Sequence, residues 1–407
     1  MAGAEVEDQL RILRAGTVDC ITGHELRERL SEGRPLRVKL GLDPSRPDIH
    51  LGHAVVLRKL RQFQELGHVA VLIVGDFTAL VGDPSGRSAT RPALSKAEAN
   101  ANAATYFEQA QRILLPDRLE IRHNSEWLGA MGIDDVLRLT ARSTVARMLE
   151  RDDFAKRYAA GNPISVMELI YPLLQGWDSV MVRADIELGG TDQLFNLLSA
   201  RDLQEHEGQD AQVVVTVPLL VGINGGDKMS KSLGNYVGIT EPPEEQFGKL
   251  MRIPDELMPR YFELTTGWHP DQVEDVTARM RSGALKPVEA KRLLARTVVG
   301  LYHGDPAAAR AEQEFDRVFK EHAAPREVPE FVVPSDELRG GRIEVARLLA
   351  LAGLVASNRE GRRKIREGGV RLGGDRVTDA GLEVVPTEVD GLLLRLGRRA
   401  WVRIRAA

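Results

Sequence analysis

Two histidines near residue 50 are the first side chains of this sequence whose spacing points to chemistry. His50 and His53 lie three residues apart at the expected start of a helix, so they share a face of its first turn. A helix N-terminus offers free N–H groups and a partial positive charge, and Gly52 lets a ligand approach the backbone closely. The pattern predicts a phosphate site, and it also fits two polar capping residues or part of a metal site.

A second cluster combines two lysines with two serines after a glycine-rich loop at residues 222–226. Its members are Lys228, Met229, Ser230, Lys231 and Ser232. Lysine is a mobile point charge for phosphate groups, so this loop can gather polyphosphate charge. An ordinary solvated basic loop would have the same composition.

The segments around these clusters predict a parallel α/β sheet. A strand at 37–43, a helix at 53–66 and a strand at Val69–Val74 make one βαβ unit, and further strands are expected at 184–188 and 213–221. The predicted domains are, in chain order, a catalytic domain at 1–240 with a helical insertion at about 93–180, a helical domain at 241–324, a proline-rich linker at 325–341 and a small domain at 342–407.

One predicted helix carries three polar side chains on an otherwise apolar surface. Ser165 and Glu168 form a capping box, which places the helix start at Ser165. Tyr171, Gln175 and Asp178 then fall on one face and need polar partners there. The spacing is compatible with a binding site and with a hydrogen-bonded structural cluster.

The charge of the chain is unevenly distributed. The net charge is −4, but residues 342–407 hold 14 basic and 8 acidic residues, a net +6, and the remainder holds 41 and 51, a net −10. This excludes a wholly basic nucleic-acid coat protein and indicates an acidic body with a basic tail. The only cysteine, Cys20, allows no intrachain disulfide or cysteine-based zinc site, and the charged N-terminus has no stretch typical of a signal peptide. We therefore expect a cytoplasmic protein.

The two phosphate-suited clusters resemble the HIGH and KMSKS signatures of class I aminoacyl-tRNA synthetases. The resemblance implies a Rossmann-like parallel-sheet catalytic domain with a helical insertion, an α-helical domain after it, and joining of an amino acid to ATP before transfer to tRNA. His50 and His53 would hold the ATP phosphates, and Lys228 and Lys231 would stabilise departing pyrophosphate. Gly52, Met229, Ser230 and Ser232 would complete the ATP site. ATP would be a substrate accompanied by Mg²⁺, and no tightly bound cofactor or protein metal site is expected.

The Tyr-x-x-x-Gln-x-x-Asp helix, with the loops at 74–87 and 189–193, resembles bacterial tyrosyl-tRNA synthetases. This resemblance implies that Asp178 accepts the phenolic hydroxyl of tyrosine. The other implied contacts are Tyr171, Gln175 and Asp83, with Asn124, for the α-ammonium, Gln193 for the carboxylate, Gly190 and Asp192 for the ATP ribose, and Asp43 beside the adenylate.

Lys39 departs from the pattern of better-known members, which have a tyrosine at this position as a second phenol contact. It resembles the variant found in the KMSKS branch of the family. Lys39 is therefore counted with the tyrosine-binding residues, and how the phenol side is completed stays open.

The basic tail resembles an S4 RNA-binding domain. A helix at 359–366 is followed by Gly368-Gly369 and a hairpin at 370–377. The candidate RNA-binding residues are Arg359, Arg362, Arg363, Lys364, Arg366 and Arg371. Simple solvation would also explain a charged helix, but the resemblance implies contact with tRNA and a small α+β domain.

The sequence therefore predicts an ATP-dependent tyrosine–tRNA ligase. The family implies a homodimer, with the subunit contact expected in 93–180. There are three alternatives. The first is a tryptophanyl-tRNA synthetase, which Asp178 and the basic tail disfavour, and the second is a cofactor nucleotidyltransferase with a similar histidine motif, but such enzymes are far shorter. The third is a catalytically silent RNA-binding paralogue. The intact His50, His53, Lys228 and Lys231 argue against the last.

Overall fold

The computed structural model describes residues 2–43, 48–85, 96–320, 328–397 and 400–406. The chain divides into two compact units, Met1–Asp305 and Pro306–Ala407. The predicted boundaries at 240, 324 and 341 describe a finer division, and they stay predictions. Within the described ranges, none of the helices combines the length and apolarity needed to cross a bilayer.

The first unit is built on a six-stranded sheet with helices between its strands. The strands are β1 (Cys20–Ile21), β2 (Arg37–Leu42), β3 (Val69–Val74), β4 (Leu119–His123), β5 (Ile186–Gly190) and β6 (Val213–Val217). The helices are α1 (Ala2–Arg14), α2 (Gly23–Ser31), α3 (Leu51–Glu65), α4 (Thr78–Val81), α5 (Lys96–Ala110), α6 (Ser125–Leu128), α7 (Ile133–Thr140), α8 (Val145–Met148), α9 (Asp152–Ala159), α10 (Val166–Val182), α11 (Leu194–His206), α12 (Pro243–Leu250), α13 (Met258–Thr265), α14 (Pro270–Arg281) and α15 (Pro287–His303).

The order of the strands in this sheet is β1-β6-β5-β2-β3-β4, and all neighbours except β1 and β6 are parallel. The chain thus runs outward from β2 through β3 to β4 on one side, and returns to the other side for β5 and β6. This arrangement is an α/β doubly wound topology. It confirms the parallel sheet that the apolar runs predicted and the Rossmann-like fold that the family resemblance implied.

The strands β2 and β3 confirm the predicted βαβ unit, and β3 is buried along nearly its whole length. The described part of the predicted insertion, residues 96–180, is mostly helical, as expected, but it also contains β4, which pairs with β3. Sequence reasoning did not predict this strand, because charged side chains interrupt the apolar pattern of Leu119–His123. The predicted capping box of α10 is present at Ser165 and Glu168.

The second unit contains a five-stranded sheet, in the order β10-β9-β12-β13-β7, and a two-stranded sheet of β8 and β11. Its strands are β7 (Glu330–Val332), β8 (Ile343–Glu344), β9 (Val370–Leu372), β10 (Asp375–Arg376), β11 (Glu383–Val384), β12 (Leu393–Leu396) and β13 (Ala400–Arg405), and its helices are α16 (Asp305–Phe319), α17 (Val345–Leu351) and α18 (Asn358–Arg366). The prediction of a linker at 325–341 did not include β7, which pairs with β13.

Candidate active site

The carboxyl ends of the parallel strands bring the predicted site residues to one edge of the first sheet. Asp43 directly follows β2, Asn124 directly follows β4 and Gly190 ends β5. Because β2 and β5 are neighbours whose connections leave in opposite directions, a crevice opens between their carboxyl ends. Open α/β sheets bind their ligands in such a crevice.

The histidine pair begins α3, immediately beside this edge. His50 is the N-cap, and its Nδ1 accepts from the Gly52 N–H at 3.1 Å. The His53 Nδ1 accepts from the backbone N–H of His50 at 3.4 Å, and the two rings stack with centroids 3.8 Å apart. Since both Nδ1 atoms accept, each neutral ring carries its proton on Nε2, where it is a donor.

Both histidines are neutral at physiological pH. Burial lowers the pKa of His50 to about 3 and that of His53 to about 4, and the nearby Lys231 ammonium adds to both shifts. The pair therefore offers two neutral N–H donors and no positive charge. A Cβ at position 52 would lie 2.9 Å from the His50 ring, so glycine is required there for this arrangement.

The lysine loop, residues 228–232, lies beside the histidine pair. Met229 is buried, donates its N–H to the Leu220 carbonyl at 2.7 Å, and has its Cβ 3.6 Å from the position that a Cβ on Gly52 would occupy. Lys228 and Ser232 are exposed, and Ser230 and Ser232 share a 2.8 Å hydrogen bond. The structure thus brings the two sequence motifs together through Met229.

Lys231 forms an ion pair with Asp48, and its Nζ lies 5.7 Å from the centre of the Tyr236 ring. Its positive charge therefore faces the start of α3. Asn235 anchors the lysine loop by two hydrogen bonds. Its Oδ1 accepts from the Ser230 N–H at 2.7 Å, and its Nδ2 donates to the Lys228 carbonyl at 3.2 Å. Asn235 is a site residue that sequence reasoning missed.

Asp43 and Tyr171 are hydrogen-bonded to each other across the crevice. The Tyr171 hydroxyl donates to Asp43 Oδ2 at 2.8 Å, and Thr78 donates to Asp43 Oδ1 at 2.7 Å. Burial and then the negative charge of Asp43 raise the pKa of Tyr171 well above its ordinary value, so it stays protonated. A Cβ on Gly75 would lie 2.0 Å from Asp43 Oδ1, so only glycine fits beside this carboxylate.

Several predicted amino-acid-binding side chains belong to one polar network. Gln193 donates to Asp83 Oδ2 at 2.9 Å, and Asn196 Nδ2 lies 3.0 Å from Gln193 Oε1 and 3.1 Å from Gln175 Oε1. Gln175 in turn donates to Glu187 at 3.3 Å. We define the polar network as Lys39, Asp83, Gln175, Ser179, Glu187, Gln193 and Asn196.

Lys39 lies at the bottom of the polar network with none of its surface exposed. Its Nζ lies 2.8 Å from Glu187 Oε1 and donates to the Gln175 carbonyl at 2.9 Å and to Ser179 Oγ at 2.8 Å. An ammonium has three N–H donors, and these contacts use all three. The sequence left open whether Lys39 contacts the phenol directly. Lys39 has no N–H donor left for such a contact.

Asp178 is buried and held by two neutral donors. The Trp127 indole donates to Oδ1 at 2.8 Å, and Asn124 donates to Oδ2 at 3.3 Å. Burial raises the pKa of Asp178 to about 7, against the opposing effect of the Lys39 ammonium. Asn124, which the sequence placed with the ammonium-binding residues, thus lies against the carboxylate predicted to receive the phenol.

Gly190 and Asp192 lie where β5 gives way to a 3-10 turn at Thr191–Gln193. Asp192 is exposed at its surface, but desolvation by the protein around its carboxylate raises its pKa, and the negative charge of Asp83 adds to this rise. Lys228 has the opposite influence on Asp192, which places the exposed lysine within electrostatic reach of the crevice. The predicted ribose residues therefore adjoin both the polar network and the lysine loop.

The partners that sequence reasoning missed are Trp127, Ser179, Glu187, Asn196 and Asn235. Glu187 had a detectable signal, because it is the one charged residue of a buried strand, and Lys39 is a charged residue in the middle of the neighbouring strand. Trp127 follows the strand that was not predicted, so nothing in the local pattern placed it near Asp178.

The six candidate RNA-binding residues lie in the second unit, on α18 and β9. Arg362 pairs with Glu344 at 2.7 Å, Arg363 with Glu360 at 3.1 Å and Lys364 with Glu367 at 2.9 Å. Arg371 donates to a backbone carbonyl, that of Gly374, at 2.9 Å. Arg359 and Arg366 lie on the same helix, which ends at Arg366 as predicted and begins one residue earlier than predicted, at Asn358.

Comparison with known proteins identifies the family. Residues 31–320 match the model of the class I tRNA synthetases (W and Y). A tyrosine–tRNA ligase of Moorella thermoacetica is 50% identical over 404 residues, which cover 98% of this chain and 96% of that protein. The tyrosine–tRNA ligase of Geobacter metallireducens is 50% identical over 403 residues, covering 98% and 99%.

Solved structures agree in fold. A C-terminally truncated mitochondrial tyrosyl-tRNA synthetase of Aspergillus nidulans has a TM-score of 0.64 at 23% identity, covering 77% of this chain and 94% of that chain. A tyrosyl-tRNA synthetase of Archaeoglobus fulgidus complexed with L-tyrosine has a TM-score of 0.62 at 23% identity, covering 75% and 99%. From the family match and the near full-length relatives, the chain belongs to the class I tRNA synthetases, within the bacterial tyrosine–tRNA ligase family.

Proposed function

We propose that the protein is a tyrosine–tRNA ligase that activates L-tyrosine with ATP and then transfers the tyrosyl group to the 3′ end of tRNA(Tyr). The observation that carries the choice of amino acid is Asp178, a buried carboxylate held by Trp127 and Asn124 beside the crevice. A carboxylate with two donors still has acceptor sites for a substrate hydroxyl, and among the aromatic amino acids only tyrosine supplies one.

The tyrosine phenol would donate to Asp178. Phenylalanine would leave Asp178 with only its Trp127 and Asn124 hydrogen bonds and no hydroxyl donor. Sites built to hydrogen-bond a substrate hydroxyl strongly reject the analogue that lacks it, a rule for which tyrosyl-tRNA synthetases are the standard illustration. Asp83, Tyr171 and Gln175 would receive the α-ammonium, since they supply carboxylate, hydroxyl and amide oxygens and belong to, or adjoin, connected hydrogen bonds on this side of the crevice. Gln193 would lie near the carboxylate.

The nucleotide would lie over the histidine pair and the lysine loop. The Nε2–H groups of His50 and His53 would donate to phosphate oxygens, with Gly52 admitting the phosphate to the backbone. Gly190 and Asp192 would hold the ribose, and Asp43 would lie beside the adenylate. The tyrosine carboxylate would attack the α-phosphorus and pyrophosphate would leave, so no protein nucleophile is required.

Lys228 and Lys231 would neutralise the charge that grows on pyrophosphate, which is electrostatic catalysis by positioned cations. Lys231 is paired with Asp48, so a phosphate oxygen would replace Asp48 as its partner. Mg²⁺ belongs to the same proposal, since this ion usually enters nucleotide sites on phosphate oxygens with one or two carboxylates, and Asp43 and Asp192 lie at the ends of adjacent strands.

The second unit would bind tRNA through α18 and β9. Arg362, Arg363 and Lys364 each pair with a glutamate. Among the residues that the structure describes, Arg359, Arg366 and Arg371 have no such glutamate partner, and their charge is the more available to phosphate. Removal of residues 328–407 should abolish tRNA charging and preserve pyrophosphate exchange. Unchanged tRNA affinity and salt dependence would contradict this role.

We also propose that the protein is a cytoplasmic homodimer with its contact in 93–180. Ile133 and Leu137, on one face of α7, are 72% and 60% exposed, and Val145 is 63% exposed. Neighbouring apolar side chains of this kind are typical of a subunit contact. The double variant Ile133→Glu/Leu137→Glu should sediment as a monomer, whereas Leu301→Glu, on α15, should not change the mass. A dimer that persists in the double variant would contradict the location.

Pyrophosphate exchange into ATP tests the proposed activity directly. We expect exchange with tyrosine, and neither tryptophan nor phenylalanine should support it at the same concentration. Exchange driven by tryptophan would indicate the sister specificity, and no exchange with any of the three would indicate a silent paralogue. Charging of tRNA(Tyr) with labelled tyrosine then tests the second step.

A further inference from the structure

Lys39 and Glu187 form a closed ion pair under the amino-acid side of the crevice. They are register partners on the neighbouring parallel strands β2 and β5, and neither side chain has any exposed surface. Glu187 is the one charged residue of β5, and Lys39 lies in the buried middle of β2, two residues after Arg37. A buried ion pair is costly to desolvate and is weak evidence for stability by itself, so its presence at this place calls for a function.

The hydrogen bonds of the pair are complete. Lys39 uses its three donors on Glu187, Ser179 and the Gln175 carbonyl. Glu187 accepts from Lys39, from Gln175 at 3.3 Å, from Ser179 at 3.0 Å and from Gln212. The pair therefore has no capacity left for a ligand, and any influence on substrate passes through its neighbours.

Those neighbours lie on α10, the helix that carries Asp178. Gln175 and Ser179 are one turn apart and flank Asp178, so Lys39 fixes this turn of the helix by two hydrogen bonds. In the part of the chain that the structure describes, the charged or titratable groups that act on Asp178 are Lys39 from β2, Glu187 from β5 and Tyr171 from α10 itself. The Trp127 and Asn124 donors are neutral.

We propose that Lys39 and Glu187 are positioning residues that hold the α10 turn and keep Asp178 an anionic acceptor, and thereby set the discrimination between tyrosine and phenylalanine. The inference rests on the proposed tyrosine specificity and deepens it. In this arrangement Lys39 replaces a second phenol contact indirectly. Its ammonium stabilises the Asp178 carboxylate and does not touch the substrate.

The charge balance explains why both residues are needed. Burial raises the pKa of Asp178, the Lys39 ammonium has the largest effect in the opposite direction, and the more weakly acting Glu187 raises it. Glu187 in return fixes the Lys39 side chain in place through their ion pair. Lys39→Met alone would leave Glu187 as an unpaired buried charge, which commonly prevents folding.

The test is the double variant Lys39→Met/Glu187→Gln, which removes both charges at similar volume. We expect the ratio of kcat/KM for tyrosine to that for phenylalanine, measured by pyrophosphate exchange, to fall about tenfold at neutral pH, since a neutral acid loses less than a carboxylate when its partner is missing. The loss should lie mainly in the KM for tyrosine. The acid limb of the tyrosine kcat/KM profile should move to higher pH, by about one unit.

The matched control is Arg157→Met/Glu168→Gln, which removes another buried ion pair, at 2.7 Å, near the start of the same helix. It should lower the thermal midpoint without moving the acid limb or the tyrosine-to-phenylalanine ratio. If Lys39→Met/Glu187→Gln behaves like this control, the pair is only structural and the inference is wrong. If the wild-type protein itself shows no tyrosine exchange, the proposed function fails first, and the two failures are distinguishable.

Discussion

The amino-acid side and the nucleotide side of the crevice are built in opposite ways. The amino-acid side is the polar network with Asp178 and Tyr171, in which buried side chains already contact one another. The nucleotide side is the histidine pair and the lysine loop, where Lys228 and Ser232 are exposed and Lys231 is paired with Asp48. The hydrogen bonds of the amino-acid side are formed before any ligand arrives. On the nucleotide side, Lys231 must exchange Asp48 for a phosphate oxygen.

This difference follows from the chemistry proposed for each side. Discrimination between tyrosine and phenylalanine depends on an acceptor that cannot relax when its partner is missing, so it favours a buried and fully bonded setting. Pyrophosphate must leave after the reaction, so the groups that neutralise it are better placed on a loop with water access. The variants below are ordered by their expected effect, and each tests one side against the other.

Loss of Lys231 should have the largest effect. Lys231→Ala removes the cation that faces the start of α3, and by analogy with the loss of one electrostatic donor in other enzymes, adenylate formation should slow by roughly 10²–10³. The KM for tyrosine should stay unchanged, because the polar network contains no contact to Lys231. Single-turnover formation of tyrosyl-adenylate measures both quantities.

Lys249 provides the matched control for that variant. Its Nζ lies 4.8 Å from the centre of the same Tyr236 ring, but it pairs with Glu241 at 2.6 Å. Lys249→Ala should change the rate little. Adenylate formation at a near wild-type rate in Lys231→Ala would remove the proposed role of the lysine loop.

Asp178→Asn should have the next largest effect, and it acts on the opposite side. The amide keeps an acceptor for Trp127 but presents an N–H toward the Asn124 donor, and the charged hydrogen bond to the phenol is lost. We expect kcat/KM for tyrosine to fall roughly 10- to 100-fold with the KM for ATP unchanged. Asp185→Asn, which removes a carboxylate paired with Arg34 at the other end of β5, should leave the KM for tyrosine intact.

The pH dependence of kcat/KM for tyrosine distinguishes the amino-acid side of the crevice from the nucleotide side without any mutation. Burial raises the pKa of Asp178 to about 7, so its carboxylate is lost as the pH falls through that value. The kcat/KM for tyrosine should therefore fall about tenfold per unit below about pH 7. His50 and His53 do not contribute to this limb, because burial lowers their pKa values to about 3 and 4. An acid limb that persists in Asp178→Asn would assign it to another group.

Sequence patterns located the strands β2 and β3 and the cap of α10 well, because continuous apolar runs and a capping box depend on local order. The same patterns singled out the candidate phosphate and amino-acid residues, whose roles stay predictions. They did not predict β4, an edge strand whose charged side chains break the apolar pattern, and so they gave no position for Trp127.

Local sequence patterns could not predict which side chains of the site contact one another, because the partners are far apart in the sequence. Tyr171 meets Asp43 across 128 residues of sequence, and Asn196 joins Gln193 to Gln175 only because α11 packs against α10. The placement of Asn124 against Asp178 depends on the order of strands in the sheet. Lys39 and Glu187 are the exception, since opposite charges in the middle of two mostly apolar strands already indicate a buried pair.

Asn235 gives the smallest and most selective test of the nucleotide side. This buried side chain joins the Ser230 N–H to the Lys228 carbonyl and to Asn224 at 3.2 Å, and a Cβ on Gly222 would lie 2.2 Å from its amide nitrogen. Asn235→Ala should release the lysine loop from its anchor while leaving both lysines in the chain. We expect adenylate formation to slow by about threefold to tenfold, since one or two neutral hydrogen bonds are lost. Asn235→Asp, which keeps the acceptor for Ser230 and loses the donor to Lys228, should lie between this variant and wild type. A change in the KM for tyrosine in either variant would mean that the two sides of the crevice are coupled through the loop, and that the contrast between a completed pocket and an exchanging loop is too simple.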